Sequence, residues 1–183
     1  SEYSPTEYFY GEDEKVLTQL ELEDRIAHKD ERVMGAESLV MIQCVGCRNE
    51  DRNYCARICC SHAIKNALKL KEINPQLDIY VLFRDMRTYG YREDYYREAA
   101  ENEVKFIRWE PSDKPVVEAV TEEGKPMLRI SVSDPIMGKR LALDADLLVL
   151  SAAVVPSAGS QEIACLWAEI HLNLLIMEQS QES

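Results

Sequence analysis

The sequence predicts an α/β domain in which a mainly parallel sheet is interrupted by an antiparallel β-meander. Three observations predict it. The runs Leu39-Val40-Met41-Ile42 and Ile79-Tyr80-Val81-Leu82-Phe83 are continuously apolar, as strands covered on both faces of a parallel sheet must be, and a helical stretch separates them. Between Val116 and Leu143 the pattern changes to short alternating strands with turn residues between them. A further apolar run, Leu147-Leu148-Val149-Leu150, then resumes the parallel-sheet pattern.

Each element follows from local chemistry. Residues 1–12 are aromatic and polar without a period and read as a connecting segment. Val16, Leu17, Leu20, Leu22 and Ile26 suit a short helix with Asp13 as its cap, and the polar stretch His28 to Arg32 ends it. Leu39 to Ile42 is the first strand. After it, Ala63, Ile64, Ala67, Leu68 and Leu70 recur at helical spacing up to Ile73, where Asn74-Pro75 stops the helix. Ile79 to Phe83 is the second strand, Arg92 to Asn102 an amphipathic helix, and Val104 to Ile107 the third strand. The meander comprises Val116 to Val120, Met127 to Val132 and Arg140 to Leu143, with turns at Glu123-Gly124 and Ile136-Met137-Gly138. Gln161 to Met177 reads as a helix more apolar than a surface helix requires, which implies a covering partner.

Residues 37–108 thus form a βαβαβ core, 116–144 the meander, and 146–180 the returning strand and final helix, all within one domain spanning 1–183. That order resembles the Rossmann-like, FAD/NAD(P)-binding domains of two-dinucleotide flavoproteins. Their first strand leads into G-x-G-x-x-G, but here Gly46 is the only glycine between the first strand and its helix, so the backbone lacks what a pyrophosphate needs.

With 46% apolar content, 183 residues can bury the core of one ordinary domain. The net charge of −12 excludes nucleic acid as an expected partner, because phosphate-neutralising charge is missing. No apolar run is long enough to span a bilayer and no basic-then-apolar leader opens the chain, so a cytoplasmic, reducing setting is expected.

In place of glycines the first turn carries thiols. Cys44, Cys47, Cys55, Cys59 and Cys60 fall within seventeen residues, and in a reducing compartment such a cluster reads as metal-binding or catalytic. Three outcomes fit the spacing. Cys44, Cys47, Cys55 and Cys59 could hold zinc in a tetrahedron. Four of the five could hold an iron–sulfur cluster, a reading that the adjacent Cys59-Cys60 pair favours. The third outcome is free thiols. The positive end of the following helix, with Arg48, Arg52 and Arg57, would stabilise thiolates in either metal reading.

The segments Ile42-Gln43-Cys44-Val45-Gly46-Cys47-Arg48, Tyr54-Cys55-Ala56-Arg57-Ile58-Cys59-Cys60, His62-Ala63-Ile64-Lys65-Asn66-Ala67 and Arg84-Asp85-Met86-Arg87-Thr88-Tyr89-Gly90 closely resemble the A subunit of heterodisulfide reductase, together with its bacterial relatives. The resemblance covers nearly the whole chain. It implies part of an iron–sulfur flavoprotein oxidoreductase, with a [4Fe–4S] cluster on Cys44, Cys55, Cys59 and Cys60 relaying single electrons. The family usually has serine where Cys47 stands, which leaves Cys47 as a spare thiol or an alternative ligand. The resemblance further implies FAD in the full-length parent, carried by flavin-binding segments not present here, and the other subunits of an electron-transfer complex as partners. The chain is therefore expected not to complete the reaction alone, and to lose its cluster when isolated in air. A zinc-stabilised structural module and a thiol–disulfide domain working through Cys55 with Cys59 or Cys60 are the alternatives.

Arg84, Asp85, Arg87 and Tyr89 follow the second strand, where ligands gather in open α/β sheets, and are candidates for cofactor binding beside the simpler reading of a loop ion pair. His62 falls in the first turn of the following helix. His28 and His171 have no companions, Glu93-Asp94 and Glu122-Glu123 read as solvated surface, and Cys165 reads as core filling.

Overall fold

The computed structural model describes residues 1–122 and 124–168. The described chain divides into two units, Tyr3–Ala153 and a smaller one made of Ser1–Glu2 with residues from Val154 onward.

The larger unit contains a five-stranded, wholly parallel sheet in the order β1-β8-β2-β3-β4 and a three-stranded antiparallel sheet β5-β6-β7. The strands are β1 (Val16–Thr18), β2 (Ser38–Val45), β3 (Asp78–Phe83), β4 (Lys105–Arg108), β5 (Val116–Glu122), β6 (Lys125–Asp134), β7 (Lys139–Ala145) and β8 (Leu147–Ala152). The helices are α1 (Gln19–Ala27), the single turn α2 (Glu31–Met34), α3 (Cys59–Ile73) and α4 (Arg92–Glu101). This is the expected Rossmann-like α/β fold with a β-meander.

Side-chain alternation explains the apolar runs. Leu39 and Met41 of β2, Ile79 and Val81 of β3, and Leu147 and Val149 of β8 point to one core with Ala63, Ile64, Ala67 and Leu70 of α3. Val40 and Ile42, Leu82, and Leu148 and Leu150 point the other way, onto Leu128, Ile130 and Val132 of β6. The meander thus takes the place of a second helical layer. Each such Val, Leu, Ile or Met side chain, fully buried, contributes about 1.5–3 kcal/mol.

One expectation is corrected at the start of this unit. Val16 and Leu17 belong to an edge strand paired with β8, not to the first helix, and the helix begins only at Gln19. Its cap is Thr18 rather than Asp13: the Glu21 amide donates to Thr18 Oγ1 at 3.3 Å, and the Thr18 amide donates to Glu21 Oε2 at 2.7 Å. Asp13 instead accepts the Lys15 amide in the preceding turn.

In the smaller unit, Ser1 and Val155 exchange backbone hydrogen bonds and residues 160–168 are helical. Ile163, Leu166 and Trp167 are exposed there. Cys165 is exposed as well, which corrects its reading as core filling, because the helical face that carries it meets no core. The rest of the helix expected to reach Met177, His171, and Glu123 of the first meander turn lie outside the described residues. Among the described residues no helix is long and apolar enough to cross a membrane.

Candidate functional site

Chain order reverses at the centre of the parallel sheet. From β2 the chain runs outward to β3 and β4, whereas β8 and β1 lie on its other side. The carboxyl end of β2 is therefore the switch point at which open α/β sheets place ligands, and the cysteines sit there.

The backbone at this point is irregular. Pairing of β2 with β8 shifts register between Ile42 and Val45, and Cys44 within the strand has a left-handed φ of 65°. Strict alternation would put Cys44 beside Val40 and Ile42 against the meander; the bulge puts Val45 there instead. Cys44 is turned to a separate small cluster with Cys47, Ala153 and Tyr3. Arg48 (φ 57°) and Arg57 (φ 64°) are also left-handed. Each such non-glycine residue costs about 1–2 kcal/mol, and strain of this kind collects at functional sites. Gly46 needs its φ of 73° and its lack of a side chain, because a Cβ would lie 2.1 Å from the Tyr3 ring. Tyr3 is held by its amide, which donates a hydrogen bond to the Ala153 carbonyl at 2.8 Å. Arg52 covers its ring at 4.4 Å while donating to the Gly46 carbonyl at 3.2 Å.

Four of the five thiols are buried, with Cys44, Cys47, Cys59 and Cys60 at 9%, 3%, 5% and 3% exposure, and none of the five is in a disulfide. Cys44 shares a small buried cluster with Cys47, and Cys59 and Cys60 are adjacent and both buried. The interaction with Cys47 pulls the Cys44 thiol down to about 6; burial opposes this, and Arg48 and Arg84 assist. The interaction with Cys59 likewise pulls Cys60 down to about 7 against its burial, helped by the Arg87 amide. The same interactions, together with burial, push Cys47 and Cys59 up. Each pair thus releases one proton readily and the second with difficulty. Cys55, half-buried, accepts the Arg57 amide at 3.3 Å. Cys59 and Cys60 open α3, whose first turn has no side-chain cap and no acidic residue, so its amide dipoles add positive potential at these thiols.

The loop after β3 closes over the cysteines. Arg48 lies between Cys44 Sγ at 3.8 Å and Asp85 Oδ2 at 2.5 Å. Arg84 donates to the Arg48 carbonyl at 2.9 Å and stacks over Trp109. Arg87 reaches Asp85 Oδ2 at 3.4 Å, and Cys60 Sγ donates to the Asp85 carbonyl at 3.9 Å. Arg84, Asp85 and Arg87 are thus brought to the cysteines, whereas Tyr89 is 64% exposed. His62 stands in the first turns of α3 with Nε2 on Glu23 at 2.6 Å, and His28 pairs with Asp24. Glu93 accepts from Thr88, Asp94 pairs with Arg97 and Glu122 with Arg129.

The donor set suits a thiolate-bound iron–sulfur group in kind and number: buried cysteines, three arginines close by and an open helix end. Among the described residues, no three His, Cys, Asp or Glu side chains stand together as a ready-made cage for a metal ion. Several site residues give no local signal in sequence. Tyr3 is one, and Arg52, expected to act on the thiolates, instead packs on its ring. Another is Gln43, 1% exposed, whose Oε1 and Nε2 both lack a hydrogen-bond partner among the described residues. A third is the buried network in which Gln19 Nε2 donates to Ser151 Oγ at 3.2 Å and Asn66 donates to Gln19 Oε1 at 2.9 Å.

No protein-family model matches the chain. It is 41% identical over 129 residues to the A subunit of ferredoxin:CoB-CoM heterodisulfide reductase of Methanosarcina acetivorans, covering 69% of this chain and 15% of that protein. It is 36% identical over 172 residues to the iron-sulfur A subunit of CoB-CoM heterodisulfide reductase of Methanocaldococcus jannaschii, covering 86% of this chain and 25% of that protein. The chain thus spans a quarter or less of the length of these two relatives. Among solved structures, L-lysine 6-monooxygenase from Pseudomonas syringae shares the fold, with a TM-score of 0.51 at 8% identity over 86% of this chain and 45% of that one. The chain belongs to the family of heterodisulfide reductase A subunits and corresponds to a segment of its members.

Proposed function

We propose that this chain is an electron-relay segment of a heterodisulfide reductase-type oxidoreductase, binding a [4Fe–4S] cluster through Cys44, Cys55, Cys59 and Cys60. The observation that carries this reading is the gathering of buried, easily deprotonated thiols and three arginines at the switch point of the sheet. A cluster bound there supplies one-electron redox chemistry. The chain's own residues prepare the site for it. One thiol of each pair gives up its proton readily, so thiolate ligands form at neutral pH. Arg48, Arg84 and Arg87 offset negative charge, and Tyr3 with Arg52 packs over Gly46 and excludes water from the Cys44 side. FAD is assigned to other segments of the parent protein, and the partners to other subunits of its complex, in a reducing cytoplasm.

A second reading, a dithiol that cycles with a disulfide, is favoured by the Cys44–Cys47 pair, buried in one cluster and in a C-x2-C spacing. Oxygen-free reconstitution with iron and sulfide separates the two. About four iron and four sulfide per chain, with visible absorption that bleaches on reduction, is the expected result. Cys59→Ser should abolish most of this uptake and Cys47→Ser should leave it intact. Uptake that survives Cys59→Ser and fails in Cys47→Ser would reassign the ligands. No uptake by the wild type, with a Cys44–Cys47 disulfide found by mass spectrometry after mild oxidation, would favour the dithiol.

A further inference from the structure

We propose that the loop after β3 is a latch on the cysteine loop, in which Arg84 and Asp85 hold Arg48 in place and make Arg48 the residue that positions Cys44 and sets the charge beside it. The consequence for potential rests on the cluster reading above; the latch itself does not.

Arg48 is gripped at both of its ends. Its carbonyl accepts Arg84 Nη1 at 2.9 Å, and its guanidinium is paired with Asp85 at 2.5 Å. Two consecutive residues, far along the chain on the neighbouring strand's loop, thus hold the backbone and the side chain of one residue. That grip matters because Arg48 has a left-handed φ of 57°, which a side-chain-bearing residue keeps only where its surroundings enforce it. Its side chain is 17% exposed, so solvent screens its charge little. The free side of the guanidinium faces Cys44 Sγ at 3.8 Å. Arg84 is steadied in turn by the ring of Trp109, itself 4% exposed and tied to the Phe83 carbonyl at 2.9 Å.

The same loop reaches the second thiol pair through main-chain atoms. The Asp85 carbonyl meets Cys60 Sγ at 3.9 Å, while Asp85 Oδ2 is shared between Arg48 and Arg87. A single carboxylate therefore joins two guanidiniums, of which Arg48 faces Cys44. The carboxylate of Asp85 is engaged by the two arginines. Its effect on Cys44 passes through Arg48, which makes it a positioning residue of the second rank.

Two readouts on the full chain test this. In the metal-free protein, amide hydrogen exchange across residues 44–58 should rise several-fold in Asp85→Asn and in Arg48→Gln, and stay at the wild-type rate in Asp94→Asn, an exposed carboxylate on α4. Exchange at 44–58 that is unchanged in both latch variants overturns the latch, whatever the protein does with iron. In reconstituted protein, Arg48→Gln should shift the reduction potential to more negative values, since removing a nearby positive charge disfavours the reduced state, and Arg48→Lys should restore part of that shift. Reconstituted Arg48→Gln at the wild-type potential overturns the charge role of Arg48. Failure of the wild type to take up iron would count against the cluster alone, with the exchange measurement still deciding the latch.

Discussion

At the amino ends of β2 and β8, polar groups are tied into one network around Asp146. The amides of Glu37 and Ser38 donate to Asp146 Oδ2 at 2.9 and 3.1 Å, Ser38 Oγ accepts the Asp146 amide at 3.1 Å, and Lys125 reaches across from β6 to Asp146 at 2.7 Å. At the carboxyl ends of the same strands, β2 bulges, Cys44 and Arg48 take left-handed φ, and Gln43 is buried with both amide atoms unpaired among the described residues. One edge is built for stability. The other spends stability to hold thiols in a particular arrangement, so the two edges should answer differently to substitution.

The largest effect is expected at the strained edge. Gly46→Ala meets both a left-handed φ and the Tyr3 ring, and should lose about 2–5 kcal/mol in urea denaturation. A loss under about 1 kcal/mol would mean that Tyr3 does not pack on this loop; adding Tyr3→Ala should recover part of the deficit.

Asp146→Asn tests the stable edge, and should cost about 1.5–3 kcal/mol by weakening several charge-assisted hydrogen bonds. Burial raises the Asp146 carboxyl, but Lys125 and the Glu37 and Ser38 amides outweigh it and hold the group below its ordinary value of 3.8. A depressed folded-state value means that the unfolded chain binds the proton better, so this contribution is complete above the ordinary carboxylate range and lost as pH falls through the folded value. The gap between wild type and variant should therefore be full at about pH 7 and close in strong acid, as pH falls through the folded-state value. An equal gap at both would show that the carboxylate charge is not what holds this edge.

Gln43→Met should go the other way. Removing a buried, unpartnered amide is expected to stabilise the chain by about 1–2 kcal/mol, or a few degrees in Tm by calorimetry. Destabilisation would show that Gln43 has a partner in solution and would erase part of the contrast between edges. Lys69→Ala, which breaks an exposed pair with Glu72 on the outer face of α3, sets the baseline at about 0.2–0.5 kcal/mol.

Much of the stable architecture is readable in sequence because burial on both faces leaves a continuous apolar run. Leu39–Ile42, Ile79–Phe83 and Leu147–Leu150 all mark sheet strands, and the change to alternation at Val116 marks the meander. Strand β1 is not readable the same way, since three residues are too few to show a period and Val16 and Leu17 also fit the helix that follows. Thr18-Gln19-Leu20-Glu21 carries the capping-box pattern that separates them. At the site, the cysteines and the Arg84-Asp85-Met86-Arg87 segment are conspicuous by residue type. Their pairing is not. It depends on a bulge created by pairing with β8, on the reach of Arg48 to a different loop, and on a tyrosine in a stretch with no pattern, all of which are long-range contacts.

Tyr3 has a consequence for the order of events during synthesis. Its amide is fastened to the carbonyl of Ala153, so the ring cannot settle on Gly46 until residue 153 has left the ribosome. The cysteines emerge some hundred residues earlier. For that interval the thiols lie uncovered at the end of β2, which still awaits its pairing with β8, so they are exposed before their cover exists.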